Sequence, residues 1–449
     1  MKIEGILFLT LLFSSFFLFS YNLRKIIKNI NLGKDLDRND QPIKRLKTMI
    51  RVALGQSKMV VRPIAGFLHI LVYVGFVVIN IEIIEIIIDG IIGSHRVFFK
   101  PFGNAYIHFI SLFEILALLV LVACVIFLIR RNVLMIKRFH NSEMTLWPKS
   151  DANLILIFEI LLMTAFLFMN AADSLLMSQS NPSYVDLGLE KYMGFNIAKD
   201  SFLVSGFLIE LLPDNLQSLH FIERFCWWFH ILGIFIFINY LPYSKHLHIF
   251  FAFPNTYFSN LQPKGQFTNM EAVTNEVKMM LNPNSDSFAS SSNNQPIERF
   301  GARDAIDLNW VQLMNAYSCT ECGRCTSECP ASQTGKKLSP RKIMMDTRDR
   351  IEEIGLGISK NGKDFSDGKY LLNDYITKEE LWACTSCNAC TQACPINIDP
   401  LSIITDMRRY LVMEESAAPN ELNLMFNNIE NNGAPWQFAS LDRLNWKDE

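Results

Sequence analysis

Long apolar runs dominate the chain up to about residue 253 and are absent after it. Five of them reach the roughly 20 residues a helix needs to cross a bilayer: Gly5–Leu23, Ile64–Ile88, Tyr106–Ile129, Asn153–Ala172 and Phe221–Leu241. The first has no small-residue cleavage pattern around Ser14-Ser15-Phe16-Phe17 and runs on to Tyr21, so it reads as an uncleaved span rather than a signal peptide. The stretch Phe202–Leu212, ended by Pro213, is too short to span and reads as a surface-lying or re-entrant helix. The pattern predicts an all-α membrane protein with a five-helix transmembrane bundle over 1–253 and a linker over 254–297. A mainly helical domain over 298–415 and a C-terminal docking segment over 416–449, with exposed-type aromatics among Asn and acidic residues, complete it. Residues 282–296 lack the apolar content for a core and read as flexible.

Charge gives the bundle a direction. Residues 23–62 carry eleven Lys/Arg and residues 130–149 five more, whereas 89–105 and 173–220 carry two each. Basic loops stay on the cytoplasmic side, which places the N-terminus outside and everything after about Tyr243 in the cytoplasm of an inner-membrane protein. The 23–62 cluster is also suited to anionic headgroups of the lipid bilayer. Over the whole chain, Lys+Arg 42 against Asp+Glu 44 leaves net charge -2, so no basic field points to nucleic acid.

Eight of the ten cysteines lie in the polar tail, as Cys319-Thr-Glu-Cys322-Gly-Arg-Cys325-Thr-Ser-Glu-Cys329-Pro and Cys384-Thr-Ser-Cys387-Asn-Ala-Cys390-Thr-Gln-Ala-Cys394-Pro. Both have the Cys-x2-Cys-x2-Cys-x3-Cys-Pro spacing that holds [4Fe–4S] clusters, in which the fourth Cys serves the other cluster. The expected ligand sets are Cys319, Cys322, Cys325 and Cys394, and Cys384, Cys387, Cys390 and Cys329. Structural zinc uses separated pairs instead, and disulfides do not suit a reducing compartment. The residues between the motifs read as helical, with Pro340–Gly355 at helical spacing and a capping box at Thr377–Glu380. A helical ferredoxin domain fits better than the compact βαβ type.

Polar groups inside a bilayer are costly and tend to be functional. His69 near the start of span two and His248 beyond span five both fall at the inner face, as a candidate bis-His pair for a b-type haem, with His246 a substitute for His248. His230 could serve an outer haem only with a second imidazole, for which His108 is best placed; His108 equally suits a boundary residue facing headgroups. Glu82, Glu85 and Glu114 lie toward the outer ends of spans two and three. They suit either proton carriage at a quinone site or contact with headgroups. His95, His140 and His220 receive no role, and Cys124 and Cys226 read as packing residues.

The tail resembles the iron–sulfur subunits of the heterodisulfide reductase family over about 298–446. The resemblance is carried by Phe300-Gly-Ala-Arg303, both cysteine motifs, Leu338-Ser-Pro-Arg-Lys342 and Leu381-Trp-Ala-Cys384. More weakly, the membrane half is similar to the cytochrome b subunit of that family and to the gamma subunit of respiratory nitrate reductase. That match rests on Gly66-Phe-Leu-His69, His230-Ile-Leu-Gly233 and Leu241-Pro-Tyr-Ser-Lys-His-Leu-His248. It implies quinone-linked b haems, although Ile79 stands where the nitrate reductase subunit has a second His. Many relatives continue into a Cys-Cys-Gly domain that carries the reaction; no Cys-Cys-Gly occurs here. The resemblance therefore implies a membrane electron-transfer subunit of an oxidoreductase, not catalytically complete alone. It would link membrane quinone, haem and two clusters to a separate cytoplasmic Cys-Cys-Gly subunit. The competing expectation is a redox-sensing or scaffolding protein without quinone turnover.

Overall fold

The computed structural model describes residues 3–178, 183–195, 197–199, 201–281 and 299–448. Among the described residues, five helices are long and apolar enough to cross a membrane, one for each expected span. They are α1 (Ile3–Ile30), α3 (Pro63–Ile92), α4 (Ala105–Asn132), α5 (Trp147–Ser178) and α6 (Leu216–Tyr240), with the short α2 (Pro42–Met49) between the first two. Each runs past its apolar run, because backbone hydrogen bonding continues into polar flanks. At about 1.5 Å per residue, helices of this length exceed the ~30 Å hydrocarbon core. Pro63 opens α3, where its missing N–H costs nothing, and Gly93 closes it at φ +76°. Outward faces carry exposed Ile64, Phe67, Val77, Ile81 and Ile84 on α3, as lipid contact requires. Inward, α3 and α4 approach so closely at Gly75 that a Cβ there would collide with the Val120 side chain.

The expected boundary at 253 falls inside a helix, α7 (His248–Tyr257). The reason is packing. Leu247 and Phe251 share one apolar core with the tail, and so do Ile26 and Ile30 from the last turns of α1. Burying each such side chain stabilises by about 1.5–3 kcal/mol. The tail supplies α8 (Trp310–Ser318), α9 (Pro340–Asn361) and α10 (Pro400–Met413) to this core. Among the described residues there is no strand, only isolated bridges such as Lys34 with Asn309. The helix expected at 340–355 extends to Asn361, and Thr377 and Glu380 form the expected capping box. The stretch at 202–212 is a 3-10 helix, Ser205–Leu211, rather than an α-helix. Residues 282–296, expected to be flexible, lie outside the described residues. The expected linker instead includes a helix at Glu271–Leu281.

The terminal segment forms a regular helix, α11 (Asn420–Asn432), closed by Gly433 at φ +63°. It buries none of its residues.

Both basic loops face the tail. Arg45, fully buried, donates to the carbonyls of Tyr257 (3.2 Å) and Ser259 (3.0 Å), and Arg62 pairs with Glu328 at 2.8 Å. In the second basic loop, Glu143 pairs with Arg341 at 2.7 Å.

Candidate functional site

The two cysteine loops are built alike. In each, the residues on either side of the second Cys are left-handed: Glu321 (φ 54°) and Gly323 (φ 70°), then Ser386 (φ 55°) and Asn388 (φ 62°). Such turns curl the backbone around a point so that three thiols face inward. Left-handed non-glycine residues cost about 1–2 kcal/mol each and concentrate where a site over-determines them. The short helices Arg324–Glu328 and Ala389–Ala393 that follow pack on each other, and this exchanges the fourth cysteines. Cys319, Cys322, Cys325 and Cys394 consequently line one cavity. Burial pushes the thiols of Cys319 up to about 12 and of Cys394 up to about 11. Such thiols give up their protons only to a strongly charged occupant such as iron. In the other set, burial raises the Cys384 thiol, with Cys329 and Cys387 close enough to add to the effect. Cys387 is exposed, whereas Cys390 and Cys329 are buried.

The first cavity is clamped to the membrane half. Lys58 Nζ donates to the carbonyls of Thr391 (3.3 Å) and Cys394 (3.2 Å). Arg324, between Cys322 and Cys325, donates to Lys58 O at 3.1 Å and to Met59 O at 3.4 Å. The Met59 carbonyl in turn rests on Gly66, where a Cβ would lie 2.7 Å from it, just before His69. From the other side, Lys245 Nζ bonds Glu321 at 2.6 Å. Burial opposes ionisation of Glu321, but Lys245 and Arg348 more than offset it and hold the carboxyl below its usual range. Cys319–Cys325 thus abuts both segments that carry the inner histidines.

Those histidines meet. The rings of His69 and His248 have centroids 6.4 Å apart at 46°, and His246 lies 5.4 Å from His248. A metal held between two imidazole nitrogens at about 2 Å each would set centroids roughly 6 Å apart. His69 Nδ1 is buried without a protein partner, and His248 Nδ1 faces the Lys245 carbonyl at 3.1 Å. Burial, with His248 nearby, lowers His246 to about 3; burial also lowers His248 despite the Lys245 carbonyl. Both stay neutral, as ligands must. The donor set fits an axial pair.

The outer pair is not brought together. His230 is buried, with Nδ1 against the Leu162 carbonyl at 3.0 Å, while His108 is exposed, and no ring contact joins them. Span three turns His108 outward because Tyr106 and Ile110 occupy its inward face. His140 is exposed.

Glu82, Glu85 and Glu114 do not reach headgroups: all three are buried. Arg96, assigned nothing from the sequence, enters the bundle from its loop. It donates to Glu82 (2.9 Å), Asp173 (2.8 Å), Asn170 (2.6 Å) and Tyr106 (3.1 Å). Tyr106 donates to Glu85 at 2.6 Å, and Glu114 accepts from Asn170 and from the backbone of Val204 and Ser205. His95 also joins, at 2.8 Å from Asp173. The available signal was three carboxylates, Glu82, Glu85 and Glu114, in spans two and three, neither of which holds a cation.

Comparison with known proteins bears on the cysteine-rich tail. Residues 318–398 match the 4Fe-4S dicluster domain family. The chain is 27% identical to the probable iron-sulfur-binding oxidoreductase FadF of Bacillus subtilis, over 99% of this chain and 61% of the relative. It is 26% identical to the EtfAB:quinone oxidoreductase of Syntrophomonas wolfei, over 92% of this chain and 55% of the relative. One component of the dihydromethanophenazine:CoB--CoM heterodisulfide reductase of Methanosarcina mazei is 29% identical over 32% of this chain and 35% of the relative. The chain thus spans about three-fifths or less of the first two relatives' length. No solved structure matches it. It is a membrane protein with a 4Fe-4S dicluster domain, related to iron–sulfur oxidoreductases and to heterodisulfide reductase subunits.

Proposed function

We propose that this chain is the membrane-bound electron-transfer subunit of an oxidoreductase complex. It links a membrane quinone pool to a separate cytoplasmic catalytic subunit bearing Cys-Cys-Gly motifs. Cys319, Cys322, Cys325 and Cys394 hold a proximal [4Fe–4S] cluster, and Cys384, Cys387, Cys390 and Cys329 a distal one. His69 and His248 hold one b haem. When bound, these groups accept and release single electrons.

The observation that carries the reading is the continuous clamp from Cys394 and Arg324 through Lys58 and Met59 to the start of α3. It seats the proximal cysteine loop against the segment bearing His69. A scaffold would not need an imidazole pair beside it. The basic loops flanking the tail support a cytoplasmic tail and an outside N-terminus. Glu82, whose Oε2 has no partner, is the candidate proton carrier for quinone chemistry; both oxygens of Glu85 are engaged. Exposed Leu424, Phe426, Trp436, Phe438 and Trp446 supply apolar and aromatic anchors for the partner.

The test uses anaerobically purified full-length protein and a quinol or quinone analogue. Haem and cluster spectra changing together supports the assignment. Clusters present without haem, or without any response to the analogue, would favour a redox-sensing or scaffolding role instead.

A further inference from the structure

The two cysteine sites sit in unequal electrostatic surroundings. At the proximal cavity, Arg341 is fully buried and lines the wall. Its Nη1 donates to Arg138 O at 2.7 Å and its Nη2 to Glu143 at 2.7 Å, while its Nε is buried with no partner. Arg341 packs directly over the cysteine loop: a Cβ on Gly323 would lie 2.5 Å from its Nη1. Arg324, 5% exposed, lines the same wall, and its bonds go to the Lys58 and Met59 carbonyls and to Met59 Sδ, none of them a carboxylate. Its charge is therefore uncompensated. Lys58 adds a further cation bonded only to carbonyls. At the distal site there is one guanidinium, Arg408, also without a carboxylate partner; it donates to the carbonyls of Leu381 and Cys384 and to Ser386 Oγ, and Cys387 opens to solvent. Positive charge and N–H donors toward cluster sulfur favour the reduced, more negative state. Burial of the proximal cysteines opposes it, and water at the distal site both screens and solvates, so the order of the two potentials rests on the proximal cations outweighing burial.

We propose that Arg324 and Arg341 are potential-setting residues that hold the proximal site at a higher potential than the distal one. Electron transfer between the two clusters is then downhill from the distal to the proximal site. This inference rests on the assignment of the eight cysteines to two clusters.

The experiment is an EPR-monitored redox titration of the anaerobically purified full-length protein. Iron and acid-labile sulfide are counted first, so that absence of clusters is recognised as failure of the assignment itself. The proximal signal is the one lost in Cys322→Ser. In wild type its midpoint should lie above the distal midpoint; the reverse order overturns the proposal. Arg324→Met should shift the proximal midpoint downward and leave the distal one in place. Arg341→Lys, which keeps charge but loses the Nε–H, should also lower it. Glu143→Gln removes the carboxylate facing Arg341 and should shift the proximal midpoint upward. An unmoved proximal midpoint in Arg324→Met, or equal shifts at both sites, overturns the proposal. Should Arg324→Met assemble no proximal cluster, Glu143→Gln decides: a rise upholds it and no change or a fall defeats it.

Discussion

His69 on α3 and His248 at the head of α7 stand ring to ring, 6.4 Å between centroids, although most of the bundle separates them in sequence. Their meeting depends on Lys245-His-Leu-His248 folding back after Pro242 into a 3-10 turn whose carbonyl holds His248 Nδ1. His69→Ala or His248→Ala should abolish the low-spin b-type absorption, because six-coordinate iron loses an axial ligand. His140→Ala and His108→Ala should retain it in full. Retention of the wild-type spectrum in both ligand variants would dismiss the inner pair.

The crossed cysteine sets give an asymmetric prediction. Full-length protein should contain close to eight iron and eight acid-labile sulfide, as two four-iron clusters require. Cys322→Ser and Cys394→Ser, far apart in sequence but on one cavity wall, should lose the same EPR signal. Cys387→Ser should lose the other one. Stoichiometric zinc without sulfide would show the assignment to be mistaken.

Arg96 ties three spans through four side chains. Arg96→Met strands Glu82 and Asp173 inside the bundle, and breaking one side of a buried pair costs about 3–5 kcal/mol. The detergent-solubilised protein should melt several degrees lower. Glu82→Gln, which keeps a neutral acceptor for Arg96, should cost clearly less. Equal melting of Arg96→Met and wild type would mean the network contributes nothing to holding the outer bundle together.

Asp346 supplies the pH dependence. Burial lifts its carboxyl to about 6, against the opposing pull of Lys342 at 2.7 Å. A carboxyl whose pKa is higher in the folded than in the unfolded chain favours folding only while protonated. Its contribution is complete below the ordinary value of 3.8 and is lost as pH rises through about 6. Asp346→Asn should therefore match wild type below pH 3.8 and exceed it at neutral pH, by at most about 3 kcal/mol. Melting curves at acid and neutral pH check this; an Asn variant less stable at neutral pH contradicts it.

The exposed end of the tail makes a separable prediction. Deleting Ala434–Glu449 removes Trp436, Phe438 and Trp446 yet very little buried surface, Ala434 being the one buried side chain described there. Cluster and haem spectra should persist, while pull-down of the soluble partner is lost. Spectral collapse on truncation would indicate instead that the segment folds over the cluster domain.

The spans were legible because lipid-facing helices need apolar residues all round, and the cysteine sites because cubane ligation fixes spacing locally. Thr377, Glu380 and Pro340 announced their helices for the same local reason. Arg96 was not legible: in the chain it is one of two cations in a short loop, and only the fold-back of that loop places it beside Glu82 and Asp173. The helical character of Asn420–Asn432 was hidden by its Asn content, which lowers propensity without preventing a helix. Nor did composition reveal that Ile26, Ile30, Leu247 and Phe251 serve the tail, since apolar residues at the end of a span look the same whether they meet lipid or protein.

That shared core has a consequence for how the protein is made. The ribosome releases Ile26 and Ile30 early, but the partners that cover them, α8 to α10, emerge only after all five spans, so the seat must wait uncovered at the membrane surface in the meantime. The same surface would be laid bare on a soluble fragment cut at residue 298. Such a fragment should aggregate unless detergent or the missing helix ends replace what α1 and α7 cover, and cluster assembly is best attempted on the intact chain in its membrane.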